Sequence, residues 1–261
     1  MKIALMDSGI GLLPATAAVR RLRPDADLVV SLDPDGMPWG PRTHEDLTAR
    51  AVAVAEAAAA HHPDALIVGC NTATVHALPA LRARLEPDVP VIGTVPAIKP
   101  AAAGGGPVAI WATTATTGSA YQQVLIKEFA DGVEVTEVPC PGLAAAVEQA
   151  DEAAIDRAVL AAAQLTPPDV RAVVLGCTHY ELVAERIRAA VRGSRPEPLD
   201  LYGSADAVAC QALRRVGLSA RPDAAPTGSL TVLLSGREGA LPEAALAYAE
   251  GRLLAAVRTA S

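Results

Sequence analysis

Lysine is nearly absent from this chain: only Lys2, Lys99 and Lys127 occur in 261 residues. An internal aldimine with pyridoxal phosphate needs an active-site lysine. Lys2 opens the first apolar run, Lys99 precedes a proline and Lys127 lies on a helical run beside Glu128, so none suits that role. Aromatic residues are almost as scarce, at 3% with a single Phe, and the core must be built from Ala, Val, Leu and Ile. There is no basic block. With a formal net charge of −7 the chain is a poor partner for nucleic acid, whose phosphates require clustered Lys and Arg. No CxxC spacing links Cys70, Cys140, Cys177 and Cys210, which fits free thiols in a reduced, cytoplasmic protein. The longest uncharged stretch, residues 100–126, contains three consecutive glycines and many threonines, so no membrane span is expected. The N-terminal apolar run reaches Asp7 too soon for a signal peptide.

What is present is ordinary globular material, 51% hydrophobic and 20% charged, in a length suited to about two domains. Short apolar runs at residues 3–6, 27–32, 65–68, 89–92, 108–112, 133–138, 172–175 and 230–234 read as strands. Helical patterns lie between them, at 14–22, 45–61, 75–85, 118–129 and 151–164, then from after His179 to about 191, with two more in the tail from about 205 and 242. Such alternation predicts parallel βαβ units and an α/β fold. The small, Gly-rich segment 101–107 reads as a hinge or domain boundary. After it the scheme restarts. Ala65-Leu-Ile-Val-Gly69-Cys70 is echoed by Ala172-Val-Val-Leu-Gly176-Cys177, and Ile3-Ala-Leu-Met by Val108-Ala-Ile-Trp, which suggests an internal duplication. From the pattern alone, the tail could complete either half.

Ligands of open parallel sheets bind beyond the carboxyl ends of strands, and both Gly-Cys pairs stand at such ends. A free Cys there is usually a small core residue. Two equivalent ones, each after Gly and before polar residues, suit the inversion of a carbon acid. One thiolate removes a proton from one face, and one thiol returns a proton to the other. Cys140, between two prolines, and Cys210, in an apolar helix, are expected to be structural. Ser8 with Gly9 and Gly11, and Asn71 with Thr72, could hold a carboxylate at strand ends, or could simply be tight turns and helix caps. Asp7 reads either as a cap of the next helix or as a partner of Cys70. His179, two residues after Cys177, could tune that thiol.

Several motifs together resemble the cofactor-independent aspartate/glutamate racemase superfamily, and within it the glutamate racemases. They are Asp7-Ser8-Gly9-Ile10-Gly11-Leu12, Pro38-Trp39-Gly40, Cys70-Asn71-Thr72-Ala73, Val95-Pro96-Ala97-Ile98-Lys99-Pro100, Ala112-Thr113 with Ser119 and Tyr121, Pro141-Gly142-Leu143 with Val147-Glu148, and Leu175-Gly176-Cys177-Thr178-His179-Tyr180. The resemblance implies two pseudo-symmetric three-layer α/β domains with mostly parallel sheets facing a shared cleft. Residues 1–96 and 206–261 would form the first domain and 97–205 the second. It implies Cys70 and Cys177 as the acid/base thiols, Asp7 assisting Cys70, and Glu148 and His179 assisting Cys177. Ser8, Asn71, Thr72 and Thr178 would bind the substrate's carboxylate and ammonium groups, with Trp39 and Gly40 lining the site. It implies a cytoplasmic enzyme that uses neither cofactor nor metal, takes a small amino acid, and supplies D-glutamate for peptidoglycan. A homodimer stays open. So do action on aspartate or another amino acid, and an amino-acid-binding relative without catalysis. A decarboxylase relative would need only one of the two cysteines. The sequence departs from the family pattern at Leu12 (usually Gly), Trp39 (usually Tyr), Thr74 (usually Ser) and Glu181 (often Pro).

Overall fold

The computed structural model describes residues 1–193 and 198–256. The chain forms two compact units, Met1–Val95 with the chain from Ala205 onward, and Pro96–Ser204. Unit 1 begins with β1 (Lys2–Asp7), a 3-10 turn (Ile10–Leu12), α1 (Leu13–Leu22), β2 (Asp27–Leu32), α2 (His44–Ala59), β3 (Ala65–Val68), α3 (Asn71–Leu85) and β4 (Val91–Gly93). Unit 2 contains α4 (Ile98–Ala103), β5 (Val108–Ala112), α5 (Ala120–Phe129), β6 (Val135–Pro139), α6 (Leu143–Glu148), α7 (Glu152–Leu165) and β7 (Ala172–Leu175). A 3-10 helix (Thr178–Val183), α8 (Ala184–Arg192) and β8 (Asp200–Tyr202) complete it. The tail returns to unit 1 with α9 (Ala205–Arg215), β9 (Leu230–Leu234), β10 (Arg237–Gly239), a 3-10 helix (Glu243–Ala247) and α10 (Ala249–Ala255).

The sheets run β10-β9-β2-β1-β3-β4 and β6-β5-β7-β8. All pairings are parallel except the β9–β10 hairpin. The inner order 2-1-3-4 of unit 1 is therefore repeated as 6-5-7-8 in unit 2. In each unit the first connection moves one way along the sheet and the next two move the other way. Right-handed crossovers then place the first helix on one face and the later helices on the opposite face. Packing agrees: α2 lies against α3, α1 against α9 and α10, and α7 against α8. Covered on both faces, the central strands are almost wholly buried, as their unbroken apolar runs require. Each unit has its own aliphatic core. One joins Met6, Leu47, Val54, Leu66, Val68 and Leu81, and the other joins Ile98, Ile110, Leu125 and Val174.

Two local expectations are corrected. Ala101–Ala103, read as hinge, is the end of α4, and the units divide at Val95–Pro96 instead; alanine favours helix, so only the glycines that follow break it. Helix α3 begins at Asn71, four residues before the sequence pattern shows it. The strands β8 and β10 and the helix α6 are too short for periodicity to reveal.

Candidate active site

The order reversal makes a switch point in each sheet, between β1 and β3 and between β5 and β7, because the chain leaves the paired strands toward opposite faces. Both Gly-Cys pairs stand there. Gly69 N–H donates to the carbonyl of Met6 at 2.8 Å, and Gly176 N–H donates to that of Trp111 at 2.8 Å. A side chain is excluded at both places. A Cβ on Gly69 would lie 2.8 Å from Leu12 Cβ, and one on Gly176 would lie 2.8 Å from the Trp111 carbonyl oxygen. These glycines let each strand end pass close to its neighbour, and the next residue turns outward. Cys70 and Cys177 share nearly the same backbone, φ −133° ψ 122° and φ −133° ψ 134°, and both are partly exposed.

Their surroundings differ. Cys70 is the N-cap of α3, and its Sγ accepts from the Ala73 N–H at 3.5 Å. A sulfur so placed faces the partial positive charge of the helix N-terminus, which favours thiolate. Asn71 and Thr72 form the first turn of that helix. Asp7, 1% exposed at the end of β1, accepts from Ser8 N–H at 2.6 Å and from Ser8 Oγ at 3.4 Å. It is not a helix cap: Gly9 and Leu12 hold the N-cap positions that follow, neither with a side-chain bond. Ser8 and Asn71 are both 7% exposed.

Trp39 lies in the segment between β2 and α2. It is 1% exposed and belongs to the unit 1 core, which the partly buried Cys70 also touches. A buried indole needs an acceptor for its N–H, and Asp33 Oδ2 supplies it at 2.9 Å. Gly40 is exposed and has open space around its Cα. The sequence reading missed Asp33. Its signal was an acidic residue directly after β2, at the same carboxyl end of the sheet as Asp7.

Cys177 leads into a 3-10 turn that carries Thr178, 7% exposed, and His179. His179 Nδ1 lies 3.8 Å from the Cys177 Sγ, and its Nε2 lies 2.7 Å from Glu148 Oε2. The carboxylate accepts a hydrogen bond from Nε2–H and fixes the ring, leaving Nδ1 to face the sulfur. Glu148 is delivered by α6, which starts after the left-handed Gly142 (φ +75°). Beneath lies Tyr180, fully buried, its hydroxyl donating to the Cys140 carbonyl at 3.4 Å. Burial pushes the Cys140 thiol up to about 12, and the nearby Cys177 thiol adds to the rise. Cys140 is thus a neutral core group, whereas Cys210 is exposed on α9 rather than packed as its apolar helix suggested.

Two departures from the family pattern have structural roles. Thr74 Oγ1 accepts from Thr94 N–H at 3.0 Å. Glu181 Oε1 accepts from Ser204 N–H at 2.8 Å and Ser204 Oγ at 2.9 Å, tying the Cys177 turn to the segment after β8. Gly203 must stay bare for this, since a Cβ there would meet the Glu181 carboxylate at 2.4 Å. Among the described residues no group of three or more His, Cys, Asp and Glu side chains is arranged to hold a metal ion. No helix among them is long and apolar enough to cross a membrane.

Comparison with known proteins places these features in a family. The model of the Asp/Glu/hydantoin racemases matches residues 14–212, which include both cysteines. A glutamate racemase of Pseudomonas putida (strain W619) is 36% identical over 217 residues, covering 81% of this chain and 80% of that protein. One from Roseiflexus sp. (strain RS-1) is 40% identical over 195 residues, covering 72% and 70%. The crystal structure of Escherichia coli glutamate racemase with L-glutamate and the activator UDP-MurNAc-Ala superimposes with a TM-score of 0.73 at 30% identity, covering 84% of each chain.

Proposed function

The chain belongs to the Asp/Glu/hydantoin racemase family, and from that premise we propose that it interconverts L- and D-glutamate, with Cys70 and Cys177 as the two acid/base groups. The observation that carries the reading is the repeated switch point: each unit offers one partly exposed thiol, on the same backbone, after the same glycine, at the end of the equivalent strand. Inversion at a carbon acid needs two such groups in opposite protonation states. In one direction a thiolate takes the α-proton from one face of the carbon and the thiol of the other cysteine protonates the opposite face. The thiol and thiolate have then exchanged states, and the reverse direction resets them. The α3 N-terminus favours the Cys70 thiolate. The Glu148–His179 pair supports Cys177 in both states, since Nδ1 accepts from the thiol when the ring is neutral and donates to the thiolate when the ring is charged.

In this reading Ser8, Asn71, Thr72 and Thr178 bind the substrate's carboxylate and ammonium groups, and Asp7 assists Cys70. Trp39 and Gly40 contribute through their backbone, because the indole is occupied in the core. The reaction runs without metal or organic cofactor in the cytoplasm and supplies D-glutamate to peptidoglycan.

The test is chiral chromatography of L-glutamate, D-glutamate and both aspartates incubated with purified protein and no added cofactor. Glutamate should reach the racemic mixture from either side; turnover of aspartate in preference to glutamate would replace the substrate assignment. Cys70→Ala and Cys177→Ala should each lose racemisation by roughly 10³-fold or more. In D2O each should still exchange the α-proton of one enantiomer only, the one whose base survives. Near-normal racemisation by either variant refutes the two-thiol assignment.

A further inference from the structure

Asp33 takes no part in the chemistry above, yet its carboxylate gathers the segment that carries Trp39 and Gly40. It leaves β2 with its backbone N–H donating to the Ser8 carbonyl at 3.2 Å. Its carboxylate, 5% exposed, accepts from the Trp39 indole N–H at 2.9 Å, from Gly36 N–H at 3.1 Å and from Ser235 Oγ at 3.1 Å, and lies 3.5 Å from the Arg50 guanidinium. A buried carboxylate with four partners of this kind is a fixed point, since each charge-assisted bond restrains both ends. Two of those partners are in the segment that carries Trp39 and Gly40. Gly36 is needed for the approach: a Cβ there would sit 2.0 Å from Asp33 Oδ2 and 2.4 Å from Arg50.

Ser235 comes from the other end of the chain. It turns the β9–β10 hairpin at φ +47°, a conformation costly for a residue with a side chain. Its hydroxyl donates to Asp33 and accepts from Asp35 N–H at 3.2 Å, and Arg237 on β10 pairs with Asp35 at 2.9 Å. Among the described residues unit 2 has no strands in the positions of β9 and β10. The hairpin therefore meets the segment after β2 through two carboxylates, Asp33 from Ser235 and Asp35 from Arg237.

We infer that Asp33 is a positioning residue for substrate binding, holding the Trp39–Gly40 backbone against the Ser8 turn, with the C-terminal hairpin as its external support. This rests on the racemase reading, in which that backbone meets the substrate. Because Asp33 touches no reacting atom, its loss acts on binding and leaves proton transfer intact.

The experiment is steady-state kinetics in both directions with parallel urea unfolding. Asp33→Ala should raise KM for L- and D-glutamate alike by about tenfold, as expected for a lost charge-assisted bond, while kcat stays within about threefold. Asp33→Asn keeps an acceptor for the indole and should recover part of the loss. Ser235→Gly removes the hydroxyl while suiting the left-handed backbone, and should raise KM about two- to threefold. In a Trp39→Phe background Asp33→Ala should raise KM less than in the native protein, because the partner is already gone. If Asp33→Ala fails to fold, Asp33→Asn and Ser235→Gly decide. Unchanged KM in both, or a fall in kcat at constant KM, overturns the role of Asp33 alone. A native protein that racemises no amino acid removes the functional reading and this inference with it.

Discussion

A sulfur atom at Cys70 occupies a position that three other helices give to oxygen. Thr43, Ser119 and Asp151 cap α2, α5 and α7 by accepting from a backbone N–H three residues on. Thiol is a poor neutral acceptor, so a cysteine here gains most as thiolate, which is the state a base requires. Burial decides the opposite outcome at Cys140, whose thiol is held up to about 12. Neutral thiols alkylate slowly. Iodoacetamide at pH 8 followed by peptide mass mapping should therefore modify Cys70, Cys177 and the exposed Cys210 and leave Cys140 intact in the folded protein. Early labelling of Cys140 would contradict its burial.

At the scale of elements, the seam between β2 and β9 fastens the tail of the chain to its beginning. Asp27 accepts from Ser229 N–H at 2.9 Å and Ser229 Oγ at 2.6 Å, and Arg20, buried in α1, donates to the carbonyls of Pro24, Ala26 and Ser229. Gly228 passes so near that a Cβ would meet the Ala26 carbonyl oxygen at 2.0 Å. The bond from Ser229 holds the Asp27 carboxyl below the usual carboxylate range. A depressed folded value means that the stabilisation is present above the unfolded value near ~3.9 and fades as pH falls through the folded one. Ser229→Ala should cost about 1 kcal/mol at pH 7. The gap between variant and native protein in urea midpoints should close as pH falls through the folded Asp27 value. A gap independent of pH would show that Asp27 does not carry the effect.

At the scale of the molecule, the two units are unequal in their dependence on chain order. Pro96–Ser204 is continuous, with four strands among the described residues and its own core. Unit 1 is assembled from both ends of the chain, since β9 covers the edge of β2 while α9 and α10 pack on α1. A fragment of residues 96–204 should unfold cooperatively in urea on its own. Residues 1–95 alone should not, and adding residues 205–261 should restore the transition, because an uncovered apolar face and an open strand edge cannot be kept in water. Independent cooperative folding of residues 1–95 would contradict this account.

The longer apolar strands and the repeat are legible in the sequence. Four-residue runs such as Ala65–Val68 and Ala172–Leu175 are apolar throughout, and only a buried parallel strand uses that pattern at that length. The sequence also singled out Gly69-Cys70 and Gly176-Cys177, because a glycine forced by close backbone contact leaves the same letter in both halves. Tertiary structure decided what periodicity cannot carry. The start of α3 at Asn71 was hidden because a cysteine is not among the usual capping residues. The return of the tail to β2 is set by pairing between residues about two hundred positions apart. The burial of Trp39 and the bonds of Asp33 escape the sequence for one reason: an indole goes where its N–H finds an acceptor, and that acceptor is defined only when the loop closes.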